Sequence, residues 1–382
     1  IEDALDLAPR LVAAGADALH VSAYADPSVG TGITDAHTPH TPGALVAAAA
    51  AVRAAIDAAV PVITFGHLDP EAAEAALADG AADFVAMGRR LLADPDLPNK
   101  VAEDRLAEVR PCIYQYRCIG NIFLNTHVAC VARPETSRDA ELELTPTDAP
   151  QRVLVVGGGP AGLDAAWRLA ARGHSVTLQE AGSRLGGLLT VAGGGDEHLD
   201  RMRTWLLGQV ARHDVEIVLG RAATPSDATP FDRVVLATGA AWDTPALPGA
   251  DAPHVHATRD LEAWAAGDAP LPSGPVVVLG GGKAGLTLAR LARGRGHAVT
   301  VIEPTGVVGS ELGLPGRFRW IADLEAAGVE LRMRTRATEI TADAVTVVDD
   351  DGATASIPAT SVLCAAPSAA TSAPRCAASA SS

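Results

Sequence analysis

Apolar and polar positions along the chain alternate between two periods. In LAPRLVAAGA, ALVAAAAAVRAAIDAA and PEAAEAALADG, apolar residues recur at three- and four-residue intervals, which predicts helices, the last closed by Gly80. DALHVSA, VPVITFG and ADFVAMG are short apolar runs that predict buried strands. Such alternation with short links predicts parallel strands over residues 1–105, with loops at their carboxyl ends placed as in a barrel. Three strands are too few to close one. Residues 106–150 break the rhythm with a group of cysteines and RPETSRDAELELTPTDAP, a linker pattern. Residues 151–273 and 274–348 each open with strand, glycines and helix, which predicts two related nucleotide-binding units. Residues 349–382 are expected to return to the first of these units and to end in an Ala/Ser-rich tail unable to bury a core. The chain starts at Ile1 in mid-pattern and reads as a fragment or a truncated gene product.

Composition narrows the partners. A length of 382 residues suits two or three domains, and 48% hydrophobic with 20% charged residues fits a soluble protein. A net charge of -16 argues against nucleic acid or an anionic membrane as partner and leaves a small-molecule substrate. No apolar run reaches membrane-span length, and the first segment is an amphipathic helix rather than a signal peptide. Five cysteines are too sparse for a secreted disulfide framework. A reducing, cytoplasmic compartment is the expectation.

QRVLVVGGGPAGLDAAWRLAARGHSVTLQE carries the clearest chemistry. RVLVV is a buried parallel strand, and Gly157, Gly159 and Gly162 hold the G-x-G-x-x-G spacing. Their expected roles are a tight turn, close backbone approach to a pyrophosphate, and close helix–strand packing. The helix N-terminus offers free N–H groups to phosphates. Glu180, ending the second strand, is expected to hold ribose hydroxyls. Arg184-Leu-Gly-Gly187 and the Thr238-Gly239 pair of VVLATGA, expected after a buried strand, resemble flavoprotein disulfide-reductase folds and select FAD here.

PVVVLGGGKAGLTLARLARGRGHAVTVIE repeats the plan with Gly280, Gly282, Gly285 and Glu303. A carboxylate at that strand end accepts from a free 2′-hydroxyl and repels a 2′-phosphate, which favours NADH over NADPH. Arg293 and Arg295 precede the second strand and are poorly placed for a phosphate. A degenerate duplicate that binds nothing is the alternative. Cys112, Cys118 and Cys130 read C-x5-C-x11-C, and clustered thiolates suit an iron–sulfur centre. Gln115 and His127 are the local candidates for a fourth ligand, and buried structural thiols are the alternative.

In this order the motifs resemble the 2,4-dienoyl-CoA reductase/trimethylamine dehydrogenase branch of the Old Yellow Enzyme family, over roughly residues 1–350. The resemblance implies an α/β fold, a partial TIM barrel followed by FAD- and NAD-binding Rossmann-like domains. VPVITFGHLDPEAAEAALADGAADFVAMGRRLLADPDLPNK is similar to the family's last two barrel strands, which implies that Gly66, Gly88 and Arg89 help bind an FMN phosphate. His67 stands where relatives often have Arg. The family's cluster motif has four cysteines, and Gln115 takes the second one's place. A three-cysteine cluster, an unusual fourth ligand or no cluster all stay open. Tyr24, His37 and His40 fall near the substrate position implied by the resemblance. The implied activity is a relay from NADH through FAD and an iron–sulfur cluster to FMN, reducing an activated alkene such as an enoyl thioester or enone. Oxidative N-demethylation of a methylated amine and an inactive FAD/NAD-binding fragment are the alternatives.

Overall fold

Three short parallel strands, β1 (Leu19–His20), β2 (Val62–Phe65) and β3 (Phe84–Ala86), form the first sheet of the computed structural model, in the order β1-β2-β3. The structure describes residues 1–22, 42–240 and 244–365, apart from the side chains of Leu314 and Pro315. Ala8, Ala49, Val52 and Val62 pack together as the helices Glu2–Ala13 and Val46–Ala55 cover this sheet. Asp83 ties the strand ends by accepting from Val62 N at 2.8 Å and pairing with Arg53 at 3.0 Å. The helix Pro70–Ala78 starts as its sequence prescribes: Asp69 accepts from Ala72 N, and Pro70 occupies the first turn, where no N–H is needed. Three strands make an open sheet, as expected.

This sheet belongs to the first of two units, Ile1–Leu142 with Leu312–Trp320. The cysteine segment clusters with it. So does the later excursion, where a Cβ on Gly313 would lie 2.4 Å from Tyr116 O.

The second unit begins at Glu143, runs to Glu311 and resumes at Ile321. Its strands are β4 (Arg152–Val156), β5 (Ser175–Gln179), β6 (Glu216–Val218), β7 (Arg233–Leu236), β8 (Val255–Ala257), β9 (Val276–Leu279), β10 (Val299–Glu303), β11 (Glu330–Met333), β12 (Thr335–Ile340), β13 (Ala344–Asp349), β14 (Thr354–Pro358) and β15 (Ser361–Cys364). Two parallel sheets run β6-β5-β4-β7 and β11-β10-β9-β15-β8, and β12-β13-β14 is an antiparallel meander. In each parallel sheet the strand before the glycines, β4 or β9, lies between the strand after the helix and a later strand. Val277, Ile302, Val345, Val347, Ile357 and Val362 form one core between the second sheet and the meander. The helix Pro160–Ala171 packs on β5 and on Glu197–Arg212, where Trp167 meets Trp205 edge-on at 5.8 Å.

Two expectations need correction. Residues 349–365 do not return to the first nucleotide sheet: β15 pairs with β9 in the register Ser361↔Val276, and β8 joins the same sheet. The second sheet thus recruits strands from both sides of the 274–348 segment. VVLATGA does follow a strand, but not a buried one. β7 is a sheet edge, and Val234 and Leu236 are 41% and 58% exposed.

Leu363 in β15 is fully buried. Leu363→Ala is expected to lower the unfolding free energy by about 2–5 kcal/mol. The loss is read as a lower urea midpoint in circular dichroism; an unchanged midpoint would put β15 outside the core.

Candidate cofactor sites

At the first glycine loop the chain turns from β4 into the helix Pro160–Ala171. Gly157 has φ +106°, and its N–H donates to Gln179 O at 2.8 Å. A Cβ there would lie 2.4 Å from Ala237 O, and one on Gly162 would lie 1.8 Å from Gly157 O. Gly159, the residue capping the helix, faces open space, with nothing within 4 Å of a Cβ position. The three glycines thus have the three separate geometries expected of them. The open N-terminus suits a diphosphate, so the fit to a dinucleotide is good.

Glu180 does more than await a sugar. Its carboxylate accepts from Gly158 N at 2.6 Å and Gly182 N at 2.7 Å, which leaves lone pairs for further donors. The Arg184–Gly187 segment folds over the loop, with Gly186 N donating to Gly158 O at 2.8 Å. Gly187 lies close to Gly159 Cα. The Arg184 guanidinium pairs with Glu262 at 3.3 Å and Asp268 at 3.0 Å. Thr238 Cα comes within 3.2 Å of the Gly157 Cβ position, and Gly239 follows with φ +76°.

The second loop repeats these contacts. Gly280 N donates to Ile302 O at 2.9 Å, and a Cβ on Gly285 would lie 1.8 Å from Gly280 O. Glu303 accepts from Gly281 N at 2.7 Å and Thr305 N at 2.8 Å. Gly309 N donates to Gly281 O as Gly186 N does to Gly158 O. Ala365 N bonds Leu279 O as Ala237 N bonds Val156 O, both at 2.8 Å. Gly282 caps the helix Lys283–Gly294, and Lys283 N donates to Glu311 at 3.0 Å. Arg293 and Arg295 are engaged by carbonyls, Arg293 by Ala327 O and His297 O, Arg295 by Trp264 O and Ala265 O. Arg334, which sequence reasoning missed, is exposed beside the loop after Glu303, its Nε 3.2 Å from the Gly306 Cβ position. Its signal was only structural, since β11 brings it alongside β10.

Both helix starts open into one apolar cavity of about 660 Å³, lined by Pro160, Leu188 and Val191 on one side and Gly282, Lys283 and Glu311 on the other. Burial pushes the Lys283 ammonium below its usual range, while Asp196 and Glu311 act in the opposite direction.

In the first unit, Gly66, Gly88 and Arg89 line a pocket of about 470 Å³ together with His67, Arg90 and Tyr114. Gly66 follows β2 with φ +112°, and Gly88 opens a helix after β3. Arg89 lies over Tyr114 and Tyr116, 5.1 Å from each ring centre. Arg90 was missed. It is 9% exposed, and among the described residues its Nε has no hydrogen-bond partner. A buried guanidinium with an orphaned donor in a glycine-edged pocket fits a phosphate. The adjacent arginines of GRR were the available signal.

Cys112, Cys118 and Cys130 are free thiols in one neighbourhood. Burial pushes Cys112 up to about 11 and also raises Cys118. Among the described residues no group of three His, Cys, Asp or Glu is arranged to hold one metal ion. Gln115 turns its amide to Ile113 O at 3.2 Å, and His127 is exposed. Cys364 is buried in β15 of the second unit. Tyr24, His37, His40 and Cys376 lie outside the described residues. Among the described residues no helix is long and apolar enough to cross a membrane.

The sequence profile of the pyridine nucleotide-disulphide oxidoreductase family matches residues 151–373, and that of the NADH:flavin oxidoreductase / NADH oxidase family matches residues 39–108. An NADH oxidase of Thermoanaerobacter brockii is 34% identical over 364 residues, covering 92% of this chain and 55% of the relative. A cinnamate reductase of Clostridium sporogenes is 38% identical over 253 residues, covering 64% of this chain and 37% of the relative. The solved structure of a 2-naphthoyl-CoA reductase complex matches with a TM-score of 0.83 at 23% identity, over 94% of this chain and 55% of that one. The chain spans about half the length of the relatives it matches first. With the first profile covering more than half of the chain, the chain belongs to the pyridine nucleotide-disulphide oxidoreductase family, in the 2,4-dienoyl-CoA reductase/trimethylamine dehydrogenase-like branch that joins it to an NADH:flavin oxidoreductase segment.

Proposed function

We propose that the chain serves NADH-dependent reduction of an activated C=C bond, such as that of an enoyl thioester or enone, with FAD at the first glycine loop and NADH at the second. The observation that carries this is the shared cavity, into which both helix starts open. When bound, the cofactors would supply the redox chemistry: hydride from the nicotinamide to FAD, and single electrons onward to an FMN through an iron–sulfur centre where one assembles. This chain's residues bind and orient them. Gly157, Gly159 and Gly162 shape the FAD cradle, with Glu180 as acceptor for its sugar. Gly280, Gly282, Gly285 and Glu303 do the same for NADH. The apolar walls Leu188 and Val191 would keep water from the cavity that the two loops share. Gly66, Gly88, Arg89 and Arg90 are the residues fitted to hold an FMN phosphate. Cys112, Cys118 and Cys130 would give an iron–sulfur centre its ligands if the metal itself supplies the charge that draws off their protons, against the burial that raises Cys112 and Cys118.

Activity with a cinnamate-like substrate is suggested by the cinnamate reductase relative. The test is NADH oxidation by the purified chain against enones and enoyl thioesters, and reduction of an added electron acceptor with methylated amines as the electron donor. Anaerobic NADH is expected to bleach bound FAD, and an oxidised flavin that NADH leaves unchanged would overturn the reading. Turnover of methylated amines alone would turn it towards demethylation.

Two glycine variants separate binding from folding. Gly159→Val places its side chain in open space, so the fold survives while flavin content falls by about tenfold or more, roughly the scale of losing a helix-terminus phosphate contact. Gly162→Ala drives a methyl into a carbonyl oxygen and is expected to cost more than about 2 kcal/mol of stability. Flavin absorbance per chain and thermal unfolding read the two effects.

A further inference from the structure

The two glycine loops differ at the glycine that caps the helix. At Gly159 a Cβ would meet nothing within 4 Å, whereas at Gly282 it would lie 2.7 Å from Glu311 Oε1. Glu311 Oε2 accepts from Lys283 N at 3.0 Å, on the first turn of the helix Lys283–Gly294. A carboxylate thus sits where the first loop presents only open helix terminus. A dinucleotide diphosphate seeks the same N–H groups and the same positive dipole end, and two anions cannot share them.

We infer that Glu311 is an internal competitor for the nucleotide diphosphate and sets the affinity of the second loop for NADH. This rests on the second loop being the NADH site. Glu311 is exposed, so its side chain swings into water without stranding a buried charge, and the loop opens as the first one already is. The residue is a threshold on binding rather than a ligand. It leaves Gly285, Glu303 and the rest of the cradle in the same geometry as their counterparts at the first loop.

The test is equilibrium binding of NADH and of ADP-ribose to the full chain by calorimetry, in four proteins: wild type, Glu311→Gln, Glu311→Ala, and Glu311→Ala with Gly282→Val. Gln keeps the size and removes the charge, and Ala removes both. Gly282 has φ -67°, so valine is tolerated by the backbone once the Glu311 side chain is gone, and it fills the space the diphosphate needs. Both single variants are expected to bind each nucleotide about tenfold more tightly than wild type, the scale of one charge at a helix N-terminus. The double variant is expected to lose that binding. Equal or weaker affinity in both single variants overturns the role of Glu311. If the double variant alone then loses binding, the second loop still stands as the NADH site. If all four proteins bind NADH equally, or none binds it, both the role of Glu311 and the placing of NADH there are overturned.

Discussion

The carbonyl oxygens of Gly157 and Gly280 leave no room for a side chain on Gly162 and Gly285, where a Cβ would lie 1.8 Å away. Much of the second unit depends on that closeness. It lets each helix start directly above its strand end, so that the free N–H groups face outward at the carboxyl edge of the sheet. It also holds the turn tightly against the next strand's continuation, Ala237 in one sheet and Ala365 in the other. With both helices fixed this way, their starts open on one cavity. The shared room between the cofactor sites thus follows from a packing limit at two glycines.

Much of this was legible in the sequence. Glycine spacing predicted both turns, the acids at Glu180 and Glu303 fell at the ends of β5 and β10, and the pattern of PEAAEAALADG marked the helix found at Pro70–Ala78. What escaped is long-range. Nothing local to Val255–Ala257 or Ser361–Cys364 says that they flank each other beside β9, because strand pairing is decided by which apolar runs complete a sheet. The exposure of Val234 and Leu236 follows from β7 being an edge, which apolar content alone cannot reveal. Arg184 belonged to a recognisable motif, yet Glu262 and Asp268, distant in sequence, claim its charge. Glu311 reaches a helix start 28 residues earlier in the chain.

The first unit obeys a different electrostatic logic. Arg89 and Arg90 gather positive charge beside glycines at two strand ends, a setting for phosphate. Of the neighbouring cysteines Cys118 is buried and Cys112 and Cys130 are half-buried, and desolvation is the largest cause that raises Cys112 and Cys118. A backbone hydrogen bond works against this at each thiol, from Tyr114 at Cys112 and from Ile119 at Cys118, and Arg89 beside the phosphate pocket adds to it at both.

The carboxylates at the two loops serve a structural purpose whether or not a nucleotide is present. Glu180 and Glu303 each accept two backbone N–H groups that would otherwise go unpaired at a sharp turn. These are charge-assisted bonds, stronger than neutral ones, so both loops stand in their binding shape before anything arrives. Pre-formed loops reduce the ordering cost that a ligand must overcome. A rigid, positive helix start in water is also open to any anion. At the first loop that opening is left free, which suits a cofactor meant to stay bound. At the second, Glu311 covers it with a group that water readily receives, which suits a coenzyme that must enter and leave in each cycle.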